Sequence, residues 1–186
     1  MPYLVSIVVL IPSLILSVSL MRVESNTFMA RNVADNFAAQ ADKNSAFSQE
    51  LLALLDKHAN YVASNPISDP NYKIQIAYNL FNTGKRVEAY KIVNNLVKEN
   101  PRNLYALEAE ALLSSELNNP TVAISTRNKI SKFDPWNAKN YLQLMLLYKE
   151  SGDLVNAQVM KDKILSFAAN TNEGKIASEE FAKPIE

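Results

Sequence analysis

Apolar and polar positions along this chain recur with a period of 34 residues. Ala89, Ala123 and Ala157 share that spacing, as do Gly84, Asn118 and Gly152, and the dipeptides Asn100-Pro101 and Asp134-Pro135. A fixed period of about 34 marks a helix–turn–helix unit stacked into a solenoid, because one such pair cannot bury its apolar face alone. Three units follow, at about 70–103, 104–137 and 138–171. In the first, Tyr72, Ile76, Ala77 and Leu80 fall at helical intervals on a helix A, and Ala89, Val93 and Leu96 on a helix B. The second offers Leu107, Ala111, Ala123 and Ile130. The third offers Tyr141, Leu144, Met145 and Tyr148 on A, with Ala157 and Ile164 on B. Gly84 and Gly152 are placed to end their A helices in the left-handed conformation. Pro101 and Pro135 close the B helices. The expected fold class is all-α.

The pattern changes ahead of the repeats. Tyr3 to Met21 carries no charged residue. As a helix it is about 28 Å long, close to a hydrocarbon core of ~30 Å, so residues 1–22 are expected to form one transmembrane helix, kinked at Pro12. Arg22 and Arg31 follow it and nothing basic precedes it, which puts the repeats on the cytoplasmic side. A cleaved signal peptide fits less well: the basic n-region and a clear A-x-A site are missing. Its product would be an exported repeat protein beginning near Arg22–Asn26. The missing basic segment also suits the last span of a longer membrane protein.

Residues 23–66 read as a helical pair, a degenerate repeat capping the solenoid. Its first helix, 24–40, has a face of Phe28, Val33, Phe37 and Ala41. The second, capped by Ser45, has Phe47, Leu51, Leu54, Leu55, His58 and Val62 and stops before Pro66. Asn65 to Asn71 forms a stiff, non-helical connector. Residues 172–186 are expected to hold a capping helix with Ile176, Ala177 and Phe181 on one side, ended by Pro184.

The stretch Tyr72–Thr171 resembles tetratricopeptide repeats. The early large residue of helix A, the small-residue positions, the turn glycine, the helix B alanine and the closing proline all have counterparts. The resemblance implies a right-handed αα superhelix. The departures are Asn118 for the turn glycine, Arg127 and Lys161 at apolar positions of helix B, and Ala169 for the last proline. They predict a locally looser second repeat. The layout as a whole, with the runs Phe133–Asp153 and Lys163–Thr171, resembles the C-terminal end of bacterial O-antigen ligase or polymerase-type membrane proteins. That implies a regulatory or partner-binding tail in a bacterial inner membrane, with the catalytic spans elsewhere.

Composition narrows the function. Formal net charge is +0 with no basic block, so the footprint of a nucleic-acid binder is missing. Cysteine is absent and His58 is the only histidine, which leaves no thiolate chemistry and no His or Cys pair for a metal. His58, among Leu54, Leu55 and Val62, reads as a packing residue. Glu108, Glu110 and Glu116 in one helix, and Glu179-Glu180 in another, read as solvated faces. No phosphate loop, HExxH or GxSxG motif occurs. The chain is therefore expected to be non-enzymatic, with no cofactor and no metal.

In tetratricopeptide folds the A helices line the concave groove. The resemblance thus implies a partner-binding set of Asn71, Ile74, Gln75, Tyr78 and Asn82; Tyr105, Glu108, Leu112 and Glu116; and Lys139, Leu142, Gln143 and Leu146. The set lacks the Lys/Asn/Arg constellation that clamps a terminal carboxylate. The expected role is a membrane-anchored scaffold holding a protein or peptide, or its own membrane domain. The alternative is the tail of an envelope-glycan ligase or polymerase.

Overall fold

A computed structural model describes residues 2–40 and 42–183, with side chains described from residue 15 on. The described elements are helices: α1 (Pro2–Ala38), α2 (Ala46–Ser64), α3 (Pro70–Asn82), α4 (Arg86–Glu99), α5 (Leu104–Glu116), α6 (Pro120–Phe133), α7 (Ala138–Glu150), α8 (Leu154–Ala168) and α9 (Asn172–Ala182). The chain is all-α. It divides into two compact units, Met1–Val93 and Asn94–Glu186. The division falls inside α4, in the middle of the stretch expected to form the first repeat.

The 34-residue period is built from repeated local chemistry. Helices α3, α5, α7 and α9 begin at Pro70, Leu104, Ala138 and Asn172, each 34 after the last. The residue before each start is its N-cap: the side chains of Asp69, Asn103, Asn137 and Thr171 accept hydrogen bonds from Asn71, Ala106, Asn140 and Gly174 backbone N–H groups. Each cap satisfies a donor that the helix itself cannot.

The turns repeat as well. Gly84, Asn118 and Gly152 have φ of +89°, +56° and +80°. At each turn a backbone N–H closes back on the carbonyl five residues earlier. Lys85 bonds Leu80, Asn119 bonds Ser114 and Asp153 bonds Tyr148, all at 2.8 Å. Asn118 thus builds the same helix-ending motif as the glycines, and the second turn is no looser in its hydrogen bonding. Asparagine enters the left-handed region more readily than other residues with a Cβ. Gly84→Ala and Gly152→Ala are each expected to cost about 1 kcal/mol, although no atom lies within 4 Å of the added Cβ. The readout is a Tm lowered by about 2–4 °C; an unchanged Tm in both variants would remove backbone conformation as the reason for the period.

In the first unit α1 packs on α2 and α3, and α2 packs on α3. The stretch 3–21 is the first half of α1, which continues unbroken to Ala38. Its side chains through residue 14 lie outside those described, as do Ala41 and Pro184. Among the described residues no helix is long and apolar enough to cross a membrane. That finding overturns the membrane-spanning segment, and with it the membrane localisation and the cytoplasmic and inner-membrane assignments of the repeats. From Val23 on, α1 behaves as a packed helix, whereas Ile15, Leu16, Val18, Leu20 and Met21 ahead of it are exposed. Val23, Thr27, Ala30, Val33, Ala34 and Phe37 are buried on one face, while Arg22, Glu24, Arg31 and Asp35 are exposed on the others.

Three apolar positions expected to be inward point out. Phe28 is 67% exposed, and Phe47 and Leu54 are also exposed. On α2 the inner row is Leu51, Leu55, Ala59 and Val62. Spacing at i, i+3 and i+4 leaves two neighbouring rows open on a helix, and packing against α1 selects the row through Leu55. Ser45 does cap α2, accepting from the Ser48 N–H. The connector is shorter than expected, because Asp69 caps α3 and Pro70 opens its first turn, where a missing N–H does no harm.

In the second unit α5 pairs with α6 and α7 with α8, α6 packs on α7, and α9 packs on both α7 and α8. Ala123 and Ala157 are fully buried; small side chains let paired helices approach. Tyr141, Leu144, Met145, Ile164 and Ala177 share one core cluster, with Ile176 and Phe181 packed against it. Full burial of a residue such as Leu144 or Ile164 contributes about 1.5–3 kcal/mol. Helix α9 closes that core, and Lys149 Nζ at the end of α7 donates to the backbone oxygens of Glu180 and Lys183.

Candidate functional site

The groove residues implied by the tetratricopeptide resemblance fall in both units. In the first, Asn71 and Asn82 on α3 are exposed, Gln75 and Tyr78 are half-buried, and Ile74 is buried. Ile74 therefore supports the core of its unit and offers no contact surface. Two side chains join α1 to its neighbours here. The Tyr72 hydroxyl donates to Glu24 Oε1 at 3.2 Å, and the His58 Nδ1–H donates to Asn26 Oδ1 at 2.7 Å.

Burial, and then the charge of adjacent Lys57, hold the His58 pKa below the usual histidine value. The neutral ring is favoured in the fold, so the unfolded chain takes up its proton first as pH falls. The stability this group confers is present above the unfolded value and is lost on acidification. Between about pH 7.5 and about pH 5.5 the Tm is expected to fall more in the native chain than in His58→Gln. Parallel Tm curves for the two would show that His58 carries none of that pH dependence.

In the second unit the geometry is sharper. On α5, Tyr105, Glu108, Leu112 and Glu116 are the exposed residues, and the rest of the helix is buried or half-buried. Spacings of 3, 4 and 4 hold the four within about 80° of helix surface. Tyr105 is 70% and Leu112 41% exposed. On α7, Lys139 is exposed, Gln143 is half-buried, and Leu146 packs partly against the core cluster. Leu142 is buried and, like Ile74, is a packing residue.

Charge is segregated between neighbouring helices. Helix α5 carries Glu108, Glu110 and Glu116 with no basic residue, whereas α6 carries Arg127, Lys129 and Lys132 with no acidic one. The three glutamates do not share a solvated face. Glu108 and Glu116 are exposed, but Glu110 is only 4% exposed. Its Oε1 accepts from Asn94 Nδ2 at 3.0 Å and its Oε2 from the Thr126 hydroxyl at 2.8 Å. Beside it, Arg127 Nη1 donates to Asn140 Oδ1 at 3.3 Å, and Asn140 Nδ2 donates to the Arg127 carbonyl at 3.0 Å and the Ser131 hydroxyl at 2.9 Å.

This interior polar network was not expected from the sequence, yet the period contains the signal. An offset of 34 puts Glu110 in register with Ile76 and Leu144, both buried core residues. Glu110 lies two positions after Glu108, which is about 200° of rotation, so the pair cannot face the same way. Arg127, read as a departure at an apolar position, is likewise buried. The chemistry of the network is positional: buried donors meet acceptors and fix the rotation of α5 against α6 and the end of α4. A cavity of about 270 Å³ lies at the turn end of the unit, lined by Ser115, Asn118, Pro120, Leu147, Glu150 and Ser151. Among the described residues no group of His, Cys, Asp or Glu is placed to hold a metal ion.

No family model matches the chain, and no curated protein matches it in sequence. Among solved structures it is similar to one described as "MamA RS-1 ArsTM double mutant". The TM-score is 0.55 and the sequence identity 18%, over 84% of this chain and 90% of that chain. MamA is a tetratricopeptide-containing protein. At that identity the likeness concerns the fold alone, and the fold of this chain is an all-helical, tetratricopeptide-like one.

Proposed function

We propose that this chain is a non-catalytic protein-interaction module. The observation that carries the reading is the α5 face, where an aromatic and an aliphatic side chain stand in water on a helix otherwise packed into its unit. Exposed apolar side chains in a row, with polar neighbours, are the usual mark of a protein contact. The tetratricopeptide-like fold supports the same reading, since stacked helix pairs present extended binding surfaces. The ligase-tail alternative drew on the N-terminal span and on the runs Phe133–Asp153 and Lys163–Thr171; the span is overturned, and the similar solved structure gives the runs no support as ligase features.

The test is site-specific photocrosslinking in cells that make the protein. A photoreactive residue at Tyr105 is expected to yield a discrete protein adduct, and the same residue at Lys129 on α6 a much weaker one. No adduct at Tyr105, or equal labelling at both positions, would remove the α5 face as a protein contact.

A further inference from the structure

Resting on that reading, we infer that the α5 face takes a cationic amphipathic segment of its partner, one that sets Lys or Arg side chains beside a leucine-like or aromatic one. The stripe Tyr105, Glu108, Leu112, Glu116 alternates apolar and acidic groups along about three helical turns. Neither Glu108 nor Glu116 has a hydrogen bond or ion pair among the described residues. The basic side chains of the adjoining helix, Lys129 and Lys132, are on α6, outside the stripe.

The acidity at Glu108 is particular to this helix, whereas Glu116 has an exposed counterpart 34 residues on in Glu150 at the end of α7. At the position of Glu108 the flanking 34-residue units hold Ile74 and Leu142, both buried. At the position of Tyr105 they hold Asn71 and Lys139, both exposed. The second 34-residue repeat has thus turned a packing position into an exposed carboxylate. Meanwhile the inward Glu110, bonded through both oxygens, fixes the helix rotation that aims the stripe outward.

A purely apolar segment would cover two carboxylates without giving them partners, which costs free energy, and an anionic one would be repelled. A basic amphipathic segment answers both features at once. Charge contributes chiefly to encounter rate and selection, and Leu112 with Tyr105 supply the desolvated contact.

The experiment uses the full chain and a fluorescent, helix-forming peptide of Leu, Ala and Lys, with a second peptide in which every Lys is Glu. The Lys peptide is expected to bind and the Glu peptide not to. Glu108→Lys with Glu116→Lys should weaken binding about tenfold or more. Raising the salt should weaken binding to the native chain and have much less effect on that variant. Leu112→Asn should weaken binding several-fold at any salt, while Lys129→Glu with Lys132→Glu should leave it unchanged or tighter. Equal binding of both peptides, no binding of the Lys peptide, or a charge-reversed double variant that binds as well as the native chain would each overturn the inference. Self-association of the full chain abolished by the Lys129/Lys132 reversal would overturn it too, by making a second copy the occupant. Crosslinks at Tyr105 together with charge-blind peptide binding would sink this inference and leave the interaction module standing.

Discussion

Glu110→Ala is expected to destabilise the second unit by about 3 kcal/mol, seen as a Tm lowered by about 6–12 °C. The substitution removes the acceptor of the Thr126 hydroxyl, which is buried, and of Asn94 Nδ2. A buried donor left without a partner costs about 1–3 kcal/mol, and the emptied side-chain volume adds to that. Breaking one partner and removing the whole polar pair have different expected signs. Glu110 is in register with Ile76 and Leu144, and Thr126 with Ile92 and Met160, so apolar residues occupy the matching places in the flanking units. Glu110→Leu combined with Thr126→Val is therefore expected to be near neutral or stabilising. Denaturation of the two variants and of Thr126→Val alone decides the matter. If Glu110→Ala costs nothing, the network does not hold α5. If the double variant is as unstable as Glu110→Ala, the site cannot be repacked with apolar groups.

The architecture was legible because the signals that specify it are local and repeated. Caps at Asp69, Asn103, Asn137 and Thr171, left-handed residues at Gly84, Asn118 and Gly152, and buried alanines at 89, 123 and 157 each act within a few residues of the chain. A period is visible in sequence whenever the same local chemistry recurs. What stayed hidden depends on which neighbour a helix meets. Phe28 and Leu54 sit at helical spacing from buried residues, and only the packing of α1 on α2 turns them outward. The uncharged run at the N-terminus matched the length of a bilayer, yet it continues without a break into a helix that packs on α2 and α3. Hydropathy of a segment does not report what the following residues do.

The candidate site shows the same division. Exposure of Tyr105, Glu108, Leu112 and Glu116 follows from one helix face, and the tetratricopeptide resemblance picked them out together. Ile74 and Leu142 were picked by the same register but are buried, because an apolar side chain at the edge of that face is drawn into the core while a glutamate there stays in water. Glu110 was misplaced for the converse reason. Composition assigns a glutamate to solvent, and only the partners Asn94 and Thr126, each 16 residues away in sequence, make burial tolerable.

Gly174→Ala is expected to destabilise the end of the chain by about 1–3 kcal/mol, against the sign that helix propensity alone gives. In an open helix, alanine for glycine stabilises by about 1 kcal/mol. At Gly174, however, an added Cβ would lie 2.3 Å from the Ala168 carbonyl oxygen, 2.7 Å from that of Ala169 and 2.9 Å from the Ala169 carbonyl carbon. These are backbone atoms at the end of α8, which cannot swing aside as a side-chain tip can. The clash is resolved only by moving the start of α9 away from α8, and that movement strains the bond from the Gly174 N–H to the Thr171 hydroxyl, the N-cap of α9. It also loosens Ala177, Ile176 and Phe181 from the cluster built on Leu144, Met145 and Ile164. The contrast with Gly84 and Gly152 is physical: those two are needed for their positive φ and have open space around them, whereas Gly174 is needed for close approach. Amide hydrogen exchange in the variant should therefore speed up first in α9, with α5 and α6 less affected. Asn172→Ala, an exposed change in the first turn of the same helix, is expected to stay within about 0.5 kcal/mol of the native chain. If Gly174→Ala raises the Tm, the close approach of α9 to the end of α8 does not hold in solution, and α9 is not the element that closes the core.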